Sequence, residues 1–245
     1  MKSILLVFSL LINFKLTASS KKTYSANIIR IYVGEGTSPV CRAAWIKRVK
    51  SYLILNGEPQ SPALGFSNFS ELIGTIKKIP KGFLLIPGGK ALGIGIEFQK
   101  ALKQNGITQE DFNHLFHKQE WSYLGSCAGA YFAAKSASAR LYHTDEDTEI
   151  NFDSKNHPNY SSLSFIKGNL HSHSTYQTGS KSLNHSWSGG RAFYVDDYKT
   201  YSMWIGGPEL NSLKGKILLQ GNEQTLAINI AKEGSPPLIL MTVHP

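Results

Sequence analysis

The sequence reads as an α/β protein built on a doubly wound, mostly parallel sheet with added C-terminal strands. Apolar runs of strand length alternate with segments of helical periodicity from Asn27 to Leu124, the order that right-handed crossovers between parallel strands produce. Three apolar runs also end in residues suited to chemistry. Phe83-Leu84-Leu85-Ile86 ends in Pro87-Gly88-Gly89, Trp121-Ser122-Tyr123-Leu124 in Gly125-Ser126-Cys127-Ala128-Gly129, and Leu238 to Val243 in His244-Pro245. Open α/β sheets bind ligands at the carboxyl ends of their strands, so such a sheet would gather all three at one edge.

Residues 1–20 stand apart from the rest. Lys2 gives a positive start, Ile4 to Phe14 is apolar apart from Ser9 and Asn13, and Ala18-Ser19-Ser20 offers small residues for cleavage. We read a secretory leader over 1–20 and one domain over 21–245, exported to the periplasm or outside the cell. The apolar run is shorter than the span of about 20 residues that a bilayer needs, although Lys15 near its end leaves an uncleaved anchor as the alternative; no later segment is apolar for long enough to cross. The remaining chain, about 225 residues, is enough for one core.

Asn27 to Val33 is β-branched and alternating, as a first strand should be. Gly34 to Pro39 forms a loop, and Val40 to Leu55 spaces Ala43, Ala44, Val49 and Leu53 as a helix does. After a break at Pro59 to Pro62, Phe69 to Ile76 is a short helix and Phe83 to Ile86 the next strand. Gly88-Gly89 opens a helix through Glu97 to Lys103, and Thr108 to His117 makes another. The elbow strand at Trp121 then leads into a small-residue helix running on through Ala134. Further on, Leu141 to Phe152 and Leu163 to Leu170 read as strands. Ala192 to Tyr198, Ser202 to Ile205, Lys216 to Leu219, Leu226 to Ile230 and Leu238 to Val243 are expected to finish the sheet.

Lysine and arginine number 26 against 17 aspartates and glutamates, a formal charge of +9. Lys47, Arg48 and Lys50 crowd one expected helix and Lys77, Lys78 and Lys81 another turn, as solvated faces do. No groove-reading motif or aromatic interleaving accompanies them, which argues against nucleic acid; an anionic envelope surface or acidic ligand suits the charge better. His171 and His173 would share one face of an extended segment, with His185 as a third ligand. No carboxylate or cysteine stands at a defining spacing beside them, so neither a metal nor any other cofactor is expected.

The turn at Gly125-Ser126-Cys127-Ala128-Gly129 has the pattern of a nucleophile elbow: a strand ends, one residue is strained at the tip, and a helix starts at once. Glycines two before and two after Cys127 leave room for close packing. The start of the new helix would aim N–H groups at the sulfur and favour thiolate. The alternative is a small buried thiol between a core strand and a core helix. An attacked carbonyl would place its oxyanion on the N–H of Ala128 and on an amide of Gly88-Gly89, with His244 as the base. Cys41 and Cys127 are the only cysteines, and in an oxidising compartment they either pair or remain thiols.

Ile86-Pro87-Gly88-Gly89, the stretch Gly125 to Ala133 and the terminal Val243-His244-Pro245 together resemble the class I glutamine amidotransferase superfamily. Within it the chain is most similar to the domain at the amino end of eukaryotic-type biotin–protein ligases, which also occurs alone in bacteria. Tyr32 to Pro39, Ser188 to Ala192 and Ile205 to Pro208 resemble glycine-rich segments of that family. The resemblance implies a flavodoxin-like sheet and a cysteine hydrolase acting on a small-molecule or peptide amide through a Cys127 thioester. It does not imply biotin ligation, because no ligase catalytic domain accompanies these motifs. Such families carry a glutamate two residues after the histidine, whereas the sequence here ends at Pro245. Glu35 is then either a substitute acid or an exposed loop carboxylate. A non-catalytic binding domain that keeps a decayed pocket is the other reading of the whole.

Protein recovered from its native host is expected to begin near residue 21. Amino-terminal sequencing that returns an intact Met1 from a cytosolic fraction would refute the leader.

Overall fold

A computed structural model describes residues 28–55, 65–141, 148–172, 190–195, 200–205, 207–221 and 224–242. The leader expected over residues 1–20 therefore lies outside the described residues. The central sheet has seven strands. Its parallel part contains β1 (Ile28–Tyr32), β2 (Gly65–Phe66), β3 (Gly82–Ile86), β4 (Ser122–Ser126) and β12 (Leu238–Met241). Across the sheet these run β2-β1-β3-β4-β12, the flavodoxin-like order in which the chain reverses direction between β1 and β3. Antiparallel β11 (Gln224–Asn229) and β10 (Lys216–Gly221) extend it beyond β12.

Alternation along each strand sends side chains to two separate cores. Ile29 and Ile31 of β1, Phe83 and Leu85 of β3, and Ile239 and Met241 of β12 meet Trp45, Val49 and Leu53 of α1 (Pro39–Leu55). On the opposite face Tyr32, Leu84, Ile86, Tyr123 and Leu240 pack under α2 (Phe69–Lys78), α3 (Ala91–Gln104), α4 (Gln109–Lys118) and α5 (Ala128–Phe132). A parallel strand covered on both faces must be apolar throughout, and all five residues of β3 are buried. The one buried charge in β1 is paired: Arg30 binds Glu71 of α2 and lies over the Phe66 ring, 5.5 Å from its centroid. Helix starts follow local chemistry. Asn68 caps α2 by accepting from the Ser70 N–H at 2.8 Å, and Thr108 with Asp111 forms a capping box on α4.

Three expectations need correction. The helix after Cys127 is only five residues long, and β5 (Ala134–Leu141) begins where the small-residue helix was expected to continue. Its alanines favour helix intrinsically, but pairing with β6 (Thr148–Phe152) and with β7 (Ile166–His171) overrides that weak preference. Leu141 to Phe152 is accordingly no single strand: Leu141 ends β5 and pairs with Thr148 of β6. These three strands form a small sheet of their own, and β8 (Gly190–Val195) with β9 (Thr200–Ile205) forms a two-stranded ribbon. Of the late strands, only β10, β11 and β12 finish the central sheet. Among the described residues no helix is long and apolar enough to cross a membrane.

Phe98 of α3 is fully buried and meets Phe69, Phe112 and Phe132 edge to face, with ring centroids 4.9–5.4 Å apart. Phe98→Ala is expected to cost about 3–5 kcal/mol in urea unfolding. A change no larger than that of an exposed substitution would contradict this packing.

Candidate functional site

The turn after β4 places Cys127 at φ 50° and ψ −106°, a conformation that L-residues rarely adopt. Its neighbours hold it there. The Cys127 N–H donates to the Met241 carbonyl at 2.9 Å, and the Cys127 carbonyl accepts from the Tyr131 N–H at 3.1 Å. Gly125 and Gly129 are required by contact rather than by their own dihedrals. A Cβ on Gly129 would strike the Ile86 carbonyl, and one on Gly125 would stand 2.5 Å from the Gly129 carbonyl. Tyr123, buried in β4, donates its hydroxyl to that same Gly129 carbonyl at 2.6 Å.

The backbone N–H groups of Ala128 and Gly89 both hydrogen-bond to the Cys127 sulfur. Two amides from two strand ends thus converge on one atom, the arrangement an oxyanion hole requires. Gly89 is the donor of its pair; the Gly88 carbonyl accepts from the Ser38 N–H at 2.9 Å, which fixes the Gly88–Gly89 peptide plane and turns the Gly89 N–H to the opposite side. The positive φ of Gly89, 152°, turns its amide, and a side chain there would strike the Gly36 carbonyl.

The expected thiolate is not favoured in this geometry. Burial pushes the Cys127 thiol up to about 11, and the two amides pull it down only in part. The side chain is 7% exposed. A helix of five residues also offers little dipole compared with a longer one. Ionising this thiol near neutral pH would need a base to take its proton.

His244, the base expected from the sequence, lies outside the described residues, as do His173 and His185. The described part of its strand ends beside Cys127: Met241 pairs with Ser126, and the Thr242 N–H donates to the Leu226 carbonyl at 3.0 Å. Glu35 is exposed in the loop after β1, where its carbonyl accepts from the buried Tyr32 hydroxyl at 3.0 Å. Its charge, after burial and Glu97, helps hold the Tyr32 phenol above its ordinary range. Cys41 and Cys127 are thiols and are not joined. His171 lies beside Ser138, its Nδ1 2.8 Å from the Ser138 hydroxyl, and no group of metal-ligating side chains occurs among the described residues.

Sequence reading missed how the first loop docks on the site. Thr37 bridges to Gly89, and the Lys90 N–H donates to the Gly36 carbonyl at 2.6 Å. Arg42 Nη1 donates to the Val33 carbonyl at 2.8 Å, fixing the loop to the first turn of α1. A 660 Å³ cleft opens between this loop and Gly89-Lys90, at the point where the sheet reverses direction. The glycines of Gly34-Glu35-Gly36 signal a tight loop but carry no information about its partner.

No family model matches the sequence, and no curated protein matches it. Solved structures do. One, titled "Crystal structure of glutamine amidotransferase", superposes with a TM-score of 0.48 at 14% identity, over 89% of this chain and 89% of that one. Likeness at that level leaves the chemistry to this chain's own residues.

With burial as the controlling influence, iodoacetamide labelling of Cys127 in the folded protein should accelerate through the alkaline range, half-maximal at about 11. The unfolded chain loses the thiol proton first, so this group also lowers folding stability as pH rises from the ordinary thiol range toward that value. Mass-spectrometric rates that already level off near neutral pH would show that another group ionises the thiol.

Proposed function

We propose that the protein is an exported, amidotransferase-like cysteine hydrolase that cleaves an amide through a Cys127 thioester. The observation that carries this reading is the convergence of the Ala128 and Gly89 amides on a sulfur held at a strained strand-to-helix turn. An amide carbonyl entering there would exchange the sulfur for its own oxygen on those two donors. His244 takes the thiol proton, the sulfur forms its bond to the carbonyl carbon, and negative charge collects on the oxygen between the amides. Collapse breaks the C–N bond, and the leaving amine takes the proton from His244. Water, deprotonated by the same imidazole, then attacks the thioester, giving a carboxylic acid and the free thiol. The motif resemblance to the amino-terminal domain of biotin–protein ligases belongs to this reading, as does an envelope location after removal of residues 1–20.

The second reading, a binding domain without turnover, is favoured by one observation: burial opposes ionisation of Cys127. Cys127→Ala and His244→Asn separate the two. In a screen of carboxamides and peptide amides, both substitutions should lower hydrolysis at least about a thousandfold, because members of a catalytic unit fail together. Turnover that survives Cys127→Ala would remove the thioester mechanism, and ligand binding with no turnover by the unmodified chain would leave the binding domain.

A further inference from the structure

The cleft beside the oxyanion amides carries more positive charge than negative. Lys90 and Arg42 line it, opposed by Glu35 alone, and its remaining lining is largely loop backbone and the Thr37 and Ser38 hydroxyl residues. Lys90 is exposed, and among the described residues neither it nor Arg42 forms an ion pair, although Arg30, Lys81 and Lys100 each find a carboxylate. Arg42 is held in place by its Nη1 bond to the Val33 carbonyl, which orients the guanidinium without neutralising it. An oriented, planar guanidinium and an ammonium lining one cleft suit recognition of an oxyanion. The field of two helix starts adds to them, since α1 begins at Pro39 and α3 follows Lys90, neither with an acidic residue in its first turn. The cleft shares Gly89 with the oxyanion hole, so a group seated in it lies against the residue whose amide would hold the reacting carbonyl.

We propose that this cleft binds a small oxyanionic group of the substrate, a carboxylate or a phosphate, and so selects acidic amides. The proposal rests on Cys127 being the nucleophile, but its binding step is measurable without turnover. Calorimetry at low ionic strength, with glutarate and with inorganic phosphate as probes, is applied to the full chain and to Lys90→Gln, Arg42→Gln and Glu35→Gln. Lys118→Gln, an exposed charge removed at the amino-terminal edge of the sheet, controls for net charge. Saturable binding is expected, weakened roughly tenfold by loss of either charge-assisted contact and strengthened by Glu35→Gln. Tighter binding of glutarate assigns a carboxylate, and tighter binding of phosphate assigns a phosphate. No saturable binding of either probe, or an equal loss in Lys118→Gln, overturns the site. Bound anion should also shield Cys127 from iodoacetamide; full labelling at saturating anion would overturn the substrate role while leaving the thioester reading to its own test.

Discussion

The close approach of the turn after β4 to the end of β3 sets the geometry of everything at the site. Gly129 lies so near the Ile86 carbonyl that no side chain fits between them. That contact brings the first turn of α5 against β3, and the Cys127 N–H bond to Met241 ties the same turn to β12 on the other side. Three neighbouring strand ends are thereby locked at one level. The left-handed Cys127 backbone is the strain this arrangement holds in place, and Tyr123 supports it by filling the space beneath the Gly129 carbonyl.

Burial and reactivity oppose one another here. The same packing that aims two amides at the sulfur also removes water from it, and desolvation raises the thiol further than the amides lower it. Burial thus favours the neutral thiol of Cys127, with two amides directed at it. Such a site would hold charge well once charge had formed and would form it slowly without a base. The cleft at the sheet reversal supplies the opposite property: exposed cations close to the hole, with solvent to support them.

The core strands and helix starts were legible because their signals are local. The five apolar residues of β3, the alternation of β1 and the capping box at Thr108 each need only neighbouring residues to be read. The elbow was legible for a similar reason: glycines two residues either side of Cys127 leave a mark in sequence that packing then explains. The segment from Ala134 to Leu141 was not legible. Its alanines and serines suit a helix by propensity, and only the presence of β7 and β6 on either side makes it a strand.

The sequence by itself determined which strands end at the candidate site, because a parallel sheet delivers the residue after each strand to a single edge. It determined which cysteine stands at the tip of the turn and the glycines that this turn needs. Tertiary structure decided which amide of Gly88-Gly89 faces the sulfur, since the Gly88 carbonyl is claimed by a loop some 50 residues earlier, at Ser38. It also decided the direction in which burial shifts the Cys127 thiol and brought Lys90 and Arg42 to one cleft. Desolvation and the meeting of charges from separate loops depend on what surrounds a residue in space, and local pattern carries no record of that.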